Sequence, residues 1–391
     1  MTWDIFCTVI DNYGDIGVTW RLARQLADEH AIPLRLWVDD LRAFQRLRPE
    51  IDPTLAAQRL AGVEIRHWTT PLADAEPGAV VIEALACNLP DEFIARMAAK
   101  QPPPVWLNLE YLSAEDWVGG VHALPSPHPR LPLTKHFFMP GYTANTGGLM
   151  RERWLTAERD AFQAQVGLKS AAPSANAPSV GGRRCAFPPY LFPQQVDELL
   201  VSLFSYENQS LPSLLQAWAM DDQPVCALVP VGKALPEIAA WFGETGAEPG
   251  TVWQRGALTL HVLPMLDIDA YDRLLWACDV NFVRGEDSFV RAQFAARPLV
   301  WQAYVQDEDA HFAKLEAFLD LYCADMNAGL AEQTRTAWRA WNHETDMTAL
   351  WPALRNALPA LTAHARAWDT QLAAQTDLTT NLLNFCRKWL K

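Results

Sequence analysis

Two carboxylates four residues apart, Asp11 and Asp15, stand in "VIDNYGDIGVTW" with Gly14 and Gly17 beside them. A strand-like run, "WDIFCTVI", precedes them, and an amphipathic helical stretch from about Ile16 to Glu29 follows. In open α/β folds the crevice beyond the carboxyl ends of the strands takes the ligand. Acids placed there could act as a general base and a second group that steers the acceptor. The same pattern equally describes Asp15 capping the helix while the glycines make a tight turn.

A second stretch, "NFVRGEDSFVRAQF" at 281–294, ends a strand in Arg-Gly and starts a helix near Ser288. The amides of Asp287, Ser288 and Phe289 would point free from its first turn, and such a terminus attracts a phosphate. Arg284 could add a bidentate donor. Glu286 and Asp287 would repel an anion unless they face hydroxyls, so a nucleotide-sugar satisfies both demands. An ordinary strand–helix turn whose acids offset the helix dipole is the plain alternative. Phe204 and Tyr206 in "SLFSYEN" and Tyr271 in "DAYDRLL" sit at strand ends, where aromatics usually serve the core. No GxGxxG, P-loop, HExxH or GxSxG occurs. No acidic DxD with supporting ligands stands out in the second half, so no metal site and a metal-independent reaction are expected.

These residues need a scaffold of strands and helices. "WDIFCTVI", "LRLWVDD", "VEIRHW", "AVVIEAL" and "PVWLNLEYL" alternate with helical stretches, implying a parallel sheet covered on both faces. Residues 113–151, rich in proline and glycine, read as a long loop that offers a binding surface. Residues 169–184, "KSAAPSANAPSVGGRR", read as an interdomain linker. A second alternating series follows, and from about Asp307 the chain is nearly all helical. The expected division is a first domain at 1–168, the linker at 169–184, and a second domain at 185–360. Helices at 361–391 are expected to pack back on the first domain. The fold class expected is α/β, two facing Rossmann-like domains with a cleft between them and a helical C-terminal tail.

The totals agree with that reading. A chain of 391 residues, half hydrophobic and 20% charged, suits two domains with sizeable cores. A net charge of −14 argues against a nucleic-acid partner. The seven cysteines form no CxxC pair or zinc spacing, so free thiols in a cytoplasmic protein are expected. No signal segment and no long apolar run suggests secretion or a membrane. Most of the 17 tryptophans are expected to be packing residues.

Taken together, "DNYGDIGVTWRLARQL", "NLEYL", "GGLMRE", "SLFSYEN" and "FVRGEDSFVRAQF" resemble the bacterial protein-arginine rhamnosyltransferases that modify translation elongation factor P. The resemblance runs through nearly the whole chain. It implies a GT-B glycosyltransferase with an N-terminal, protein-binding acceptor domain at 1–168 and a nucleotide-sugar donor domain at 185–360, needing no cofactor beyond its donor substrate, dTDP-β-L-rhamnose. The acceptor it implies is one arginine on the first domain of elongation factor P. By that likeness Asp15 is the general base, Asp11 its essential neighbour, and Phe204 and Tyr271 hold the thymine ring. Tyr206, Arg284, Glu286, Asp287 and Ser288 contact the diphosphate and sugar, with Glu286 also counted catalytic and Gly14 and Gly17 lining the donor site. Ile268 stands where that family tends to carry Gln near the base. Glu110 and Tyr111 are candidate contacts to the protein acceptor. A non-catalytic binder of the elongation factor, and a GT-B enzyme acting on a small molecule or lipid, remain the alternative readings.

Overall fold

Strands buried along their whole length belong in a parallel sheet covered on both faces. β1 (Trp3–Cys7) is such a strand, buried at every residue. The computed structural model describes residues 1–10, 13–69, 72, 75–170 and 198–390. The chain divides into two compact units, one of Met1–Arg153, Ala313–Leu321 and Gln371–Lys391, the other of Trp154–Phe312 and Tyr322–Thr370.

In the first unit β1 leads to α1 (Gly14–His30), β2 (Leu34–Val38), α2 (Leu41–Leu47), β3 (Ala57–Leu60) and β4 (Val63–His67). Then come β5 (Val80–Ala84), α3 (Asp91–Ala99), β6 (Val105–Leu109), α4 (Val118–Val121), β7 (Pro125–Pro127) and β8 (Thr134–Phe138). They form one sheet in the order β3-β4-β2-β1-β5-β6-β8-β7. β1 pairs in parallel with β2 on one side and β5 on the other, with Trp3 opposite Leu34 and Val80. The chain therefore winds outward in both directions from β1, which makes the carboxyl ends of β1 and β5 a topological switch point. The stretch 113–151 is not all loop: β8 lies inside it, parallel to β6, with β7 antiparallel at the edge. Prolines on both sides of "TKHFF" and its half-exposed positions hide that strand from a periodicity reading.

The second unit opens with α5 (Leu155–Ser170), followed by β9 (Leu199–Leu203), α6 (Leu211–Ala219), β10 (Val225–Pro230), α7 (Leu235–Phe242) and β11 (Val252–Arg255). It continues with β12 (Leu258–Leu263), α8 (Ile268–Ala277), β13 (Val280–Arg284), α9 (Asp287–Phe294) and β14 (Leu299–Gln302). The sheet order is β11-β12-β10-β9-β13-β14. β9 pairs in parallel with β10 and β13, so a second switch point lies between β9 and β13. Four helices end the chain: α10 (Ala310–Tyr322), α11 (Ala328–Asn342), α12 (Trp351–Ala373) and α13 (Leu378–Arg387).

The units depart from the linear division read in the sequence. α5 lies with the second unit rather than within a 1–168 domain, because Gln163 donates to the Trp276 and Ala295 carbonyls at 3.1 and 3.0 Å. Phe162 packs its ring 5.8 Å from Trp276. The tail joins the first unit from Gln371, not 361. There the Leu378 amide donates to the Leu149 carbonyl at 2.8 Å, and Phe385 packs against His136 and Phe138. Residues 171–184 of the expected linker lie outside the described residues. The six described cysteines are free and buried, and Cys185 is outside the described residues. Among the described residues no helix is long and apolar enough to cross a membrane.

Candidate active site

At the first switch point the chain leaves β1 after Cys7 and enters α1 at Gly14. Asp15, second residue of that helix, is only 2% exposed. Its carboxylate does not supply the helix cap, for Tyr13 occupies the N-cap position and no side chain bonds there. The carboxylate instead turns back toward the strand. Oδ2 accepts the Ile10 amide at 2.8 Å, and the Tyr111 hydroxyl lies 3.2 Å from Oδ1. Below it, Thr19 donates to the Asp15 carbonyl and sits 3.1 Å from the Cys7 sulfur. Asp11 lies outside the described residues. Gly14 begins α1, and Gly17 is buried within it, donating to the Tyr13 carbonyl at 2.9 Å.

The Tyr111 hydroxyl is also 3.2 Å from the Leu85 carbonyl, and Leu85 and Ala86 both take left-handed φ, 56° and 61°. Two non-glycine residues in that region cost about 1–2 kcal/mol each. Strain of this kind gathers at functional sites. It aims the Leu85 carbonyl, at the end of β5, toward the phenol that reaches Asp15. Glu110 accepts from the Asn108 side-chain amide, so it is held beside the end of β6.

At the second switch point, Phe204 and Tyr206 follow β9, and Arg284 ends β13. The Arg284 guanidinium, 6% exposed, lies 4.4 Å from the centroids of both the Phe204 and Tyr206 rings. Its Nη1 is buried and has no hydrogen-bond partner among the described residues. A buried cation with an unmet donor awaits an anion. Gly285 then takes φ 63°, a turn that L side chains resist. Its amide donates to the Gln302 carbonyl at 3.2 Å, and its carbonyl accepts the Trp301 indole at 2.8 Å. Gln302 also accepts the Tyr206 amide at 2.9 Å, tying the β9 and β13 loops together.

α9 begins here. Glu286 is at its N-cap position without a side-chain cap bond, and Asp287 is its first residue; both are half-buried. The first amides of α9 lack partners within the helix, as at any helix start. Ser288 spends its proton on the Arg284 carbonyl, so its oxygen is left to accept. Tyr271 is buried edge-on to Phe204, with ring centroids 5.6 Å apart. Burial pushes its phenol well above the ordinary range, with Ser288 beside it pulling the other way. Tyr271 thus backs the half-buried Phe204 ring. A buried pair, Arg291 with Asp272 at 2.7 and 3.1 Å, locks α8 to α9 and fixes Tyr271 against Ser288. Ile268 is buried in the first turn of α8.

Of the residues singled out in the sequence, Phe204, Tyr206, Tyr271, Arg284, Glu286, Asp287 and Ser288 converge at one switch point and Asp15 lies at the other. Three contributors had no sequence signal of their own: the Tyr111 bond to Asp15, Gln302, and Lys233, whose ammonium lies 5.6 Å from the Tyr206 ring centroid. Among the described residues no group of three or more His, Cys, Asp or Glu could hold a metal ion.

Two α/β sheets of parallel core strands, each with candidate groups at its switch point, define a glycosyltransferase of the GT-B class. A UDP-glucosyltransferase from Polygonum tinctorium shares the fold at 10% identity and a TM-score of 0.50, over 100% of this chain and 99% of that one. More narrowly, the chain belongs to the family described as elongation-factor P (EF-P) rhamnosyltransferase EarP, whose model matches residues 3–387. It is 51% identical to a protein-arginine rhamnosyltransferase of Pseudomonas putida, over 100% of this chain and 99% of that protein. A second, from Pseudomonas aeruginosa, is 48% identical over 100% of both. A solved chain from work on the structural basis of EarP-mediated arginine glycosylation of translation elongation factor EF-P is 36% identical. It matches with a TM-score of 0.63 over 99% of each chain.

Proposed function

We propose that the protein transfers L-rhamnose from dTDP-β-L-rhamnose to one arginine side chain on the first domain of translation elongation factor P, in the cytoplasm, with inversion at the anomeric carbon. Family membership supports the rhamnosyl group, and the relatives' activities support arginine and the elongation factor as acceptor. The observation that carries the donor half is the buried Arg284 guanidinium, unsatisfied at Nη1 where α9 begins.

The chemistry follows from charge. A guanidinium stays protonated, with a pKa above about 12, and is a poor nucleophile. Asp15 holds the acceptor's planar fork and takes a proton from the attacking nitrogen as the new C–N bond forms. The C1–O bond to the diphosphate breaks on the opposite face, and the electron pair leaves with dTDP. Arg284 and the first-turn amides of α9 meet that charge, which makes a metal unnecessary to the scheme. Glu286, half-buried at the helix start, faces the sugar hydroxyls, and Phe204 stacks on the thymine.

The test is to incubate the purified protein with elongation factor P and dTDP-rhamnose and to measure the factor's intact mass. The expected result is one added deoxyhexose, mapping to a single arginine, with α anomeric configuration by NMR. An unchanged mass, with donor still bound, would leave a non-catalytic binder or a different acceptor.

A further inference from the structure

We propose that Lys233 is the second cation of the donor's diphosphate site, contacting the terminal phosphate that leaves with the nucleotide. This rests on the donor reading above and adds a residue that the motif around Arg284 does not contain.

Lys233 comes from a third segment, the connection between β10 and α7, and β10 is the strand beside β9 at the switch point. That connection comes close to the base-stacking ring: a Cβ on Gly232 would lie 3.3 Å from Phe204 Cε2. The exposed Lys233 ammonium then stands 5.6 Å from the centroid of the Tyr206 ring, the same ring that Arg284 approaches to 4.4 Å. Two cations drawn to one aromatic ring repel each other unless an anion joins them. In a chain with 46 acidic residues, Lys233 makes no ion pair among the described residues, and its contact with Tyr206 is its one charge-specific interaction there. A diphosphate carries more charge than one guanidinium neutralises. The inner, buried Arg284 suits the phosphate fixed by the stacked nucleoside. The outer, flexible Lys233 suits the terminal phosphate, where charge grows as the sugar–oxygen bond breaks.

The readout is binding of dTDP and of dTMP by calorimetry, with wild type, Lys233→Met and Lys233→Arg. A charge-assisted contact at an exposed position is screened, so a loss on the order of 10-fold for dTDP is expected in Lys233→Met. The loss for dTMP should stay under about 2-fold, Lys233→Arg should bind dTDP nearly as wild type does, and the dTDP loss should shrink in high salt. Equal weakening of dTDP and dTMP, or unchanged dTDP binding in Lys233→Met, overturns the assignment to the terminal phosphate. A wild-type protein that binds neither nucleotide overturns the donor reading itself, and this inference with it. Lys233 is exposed and packs no core, so the variant keeps the fold, as a thermal melt would verify.

Discussion

Replacing Asp15 by Asn separates chemistry from architecture at the first switch point. The Asn oxygen can keep the Ile10 amide that Asp15 Oδ2 accepts at 2.8 Å. Its NH₂ group can donate to the Tyr111 oxygen, releasing the phenol proton to the Leu85 carbonyl 3.2 Å away. Every buried polar group in that network keeps a partner, so the melting temperature should move little. The proton acceptor, however, is gone. Loss of a general base typically costs about 100- to 10,000-fold, or about 3–5 kcal/mol of transition-state stabilisation. Asp15→Ala should lose the same activity and in addition some stability, about the 0.5–1.5 kcal/mol of an ordinary hydrogen bond, since it removes the acceptor of the part-buried Ile10 amide. Single-turnover transfer with saturating donor, read by intact mass of the elongation factor, measures the first effect, and thermal denaturation the second. Both variants should bind dTDP as wild type does. Asp15→Asn turning over within about 10-fold of wild type would refute the base assignment and leave Asp15 as a loop anchor.

Four further outcomes are expected. Phe204→Ala should weaken dTDP binding by about 1–3 kcal/mol by calorimetry, the usual worth of a base stacked on a ring. Arg284→Ala should lower both dTDP affinity and rate, while Ser288→Ala should cost only about 0.5–1.5 kcal/mol, because the backbone donors remain. Wild-type activity should survive excess EDTA, and silencing that Mg²⁺ reverses would recast Glu286 and Asp287 as metal ligands. Asp377 caps α13 through the Thr380 amide. Burial raises its carboxyl, but bonds from Thr379 and Thr380 and the charge of Arg151 hold it below its ordinary value. Its contribution to stability is therefore present above the unfolded pKa, near 4, and lost as pH falls through the folded value. Asp377→Asn should cost about 1 kcal/mol at pH 7 in denaturant melts, with the gap closing below about pH 4; a constant gap down to pH 2 would refute the coupling.

What sequence could reveal here was bounded by distance along the chain. "NFVRGEDSF" is one continuous strand–turn–helix, so the proximity of Arg284, Glu286 and Ser288 was legible from local pattern alone. The parallel strands were legible as apolar runs too short for helices. The Asp15 network was not, because Ile10, Leu85 and Tyr111 meet only through the order in which β1, β5 and β6 pair. Neither Leu85 nor Ala86 advertises a left-handed turn, since glycine, the residue that would mark it, is absent. Lys233 and Tyr206 are likewise joined only by the pairing of β9 with β10. The reading of Asp15 as a helix cap failed on side-chain direction, which spacing does not encode.

The return of Gln371–Lys391 to the first unit bears on how the molecule is made. The Leu149 carbonyl waits for the Leu378 amide, the Gly147 carbonyl for the Asn381 side chain, and His136 for Phe385. Gly148, at φ 80°, leaves room for the Thr376 carbonyl, which a Cβ there would meet at 2.5 Å. A ribosome adding about 5–20 residues per second emits Met1–Arg153 well before the strip from Gln371 that closes them, which follows the whole of the second unit. The second unit's parallel sheet can therefore finish during translation while the first still exposes Phe138 and its neighbours. Nascent chains stalled before Gln371 should be the ones that chaperones hold, and a stop codon just before Gln371 would leave the first unit unclosed while the residues of the second are all present.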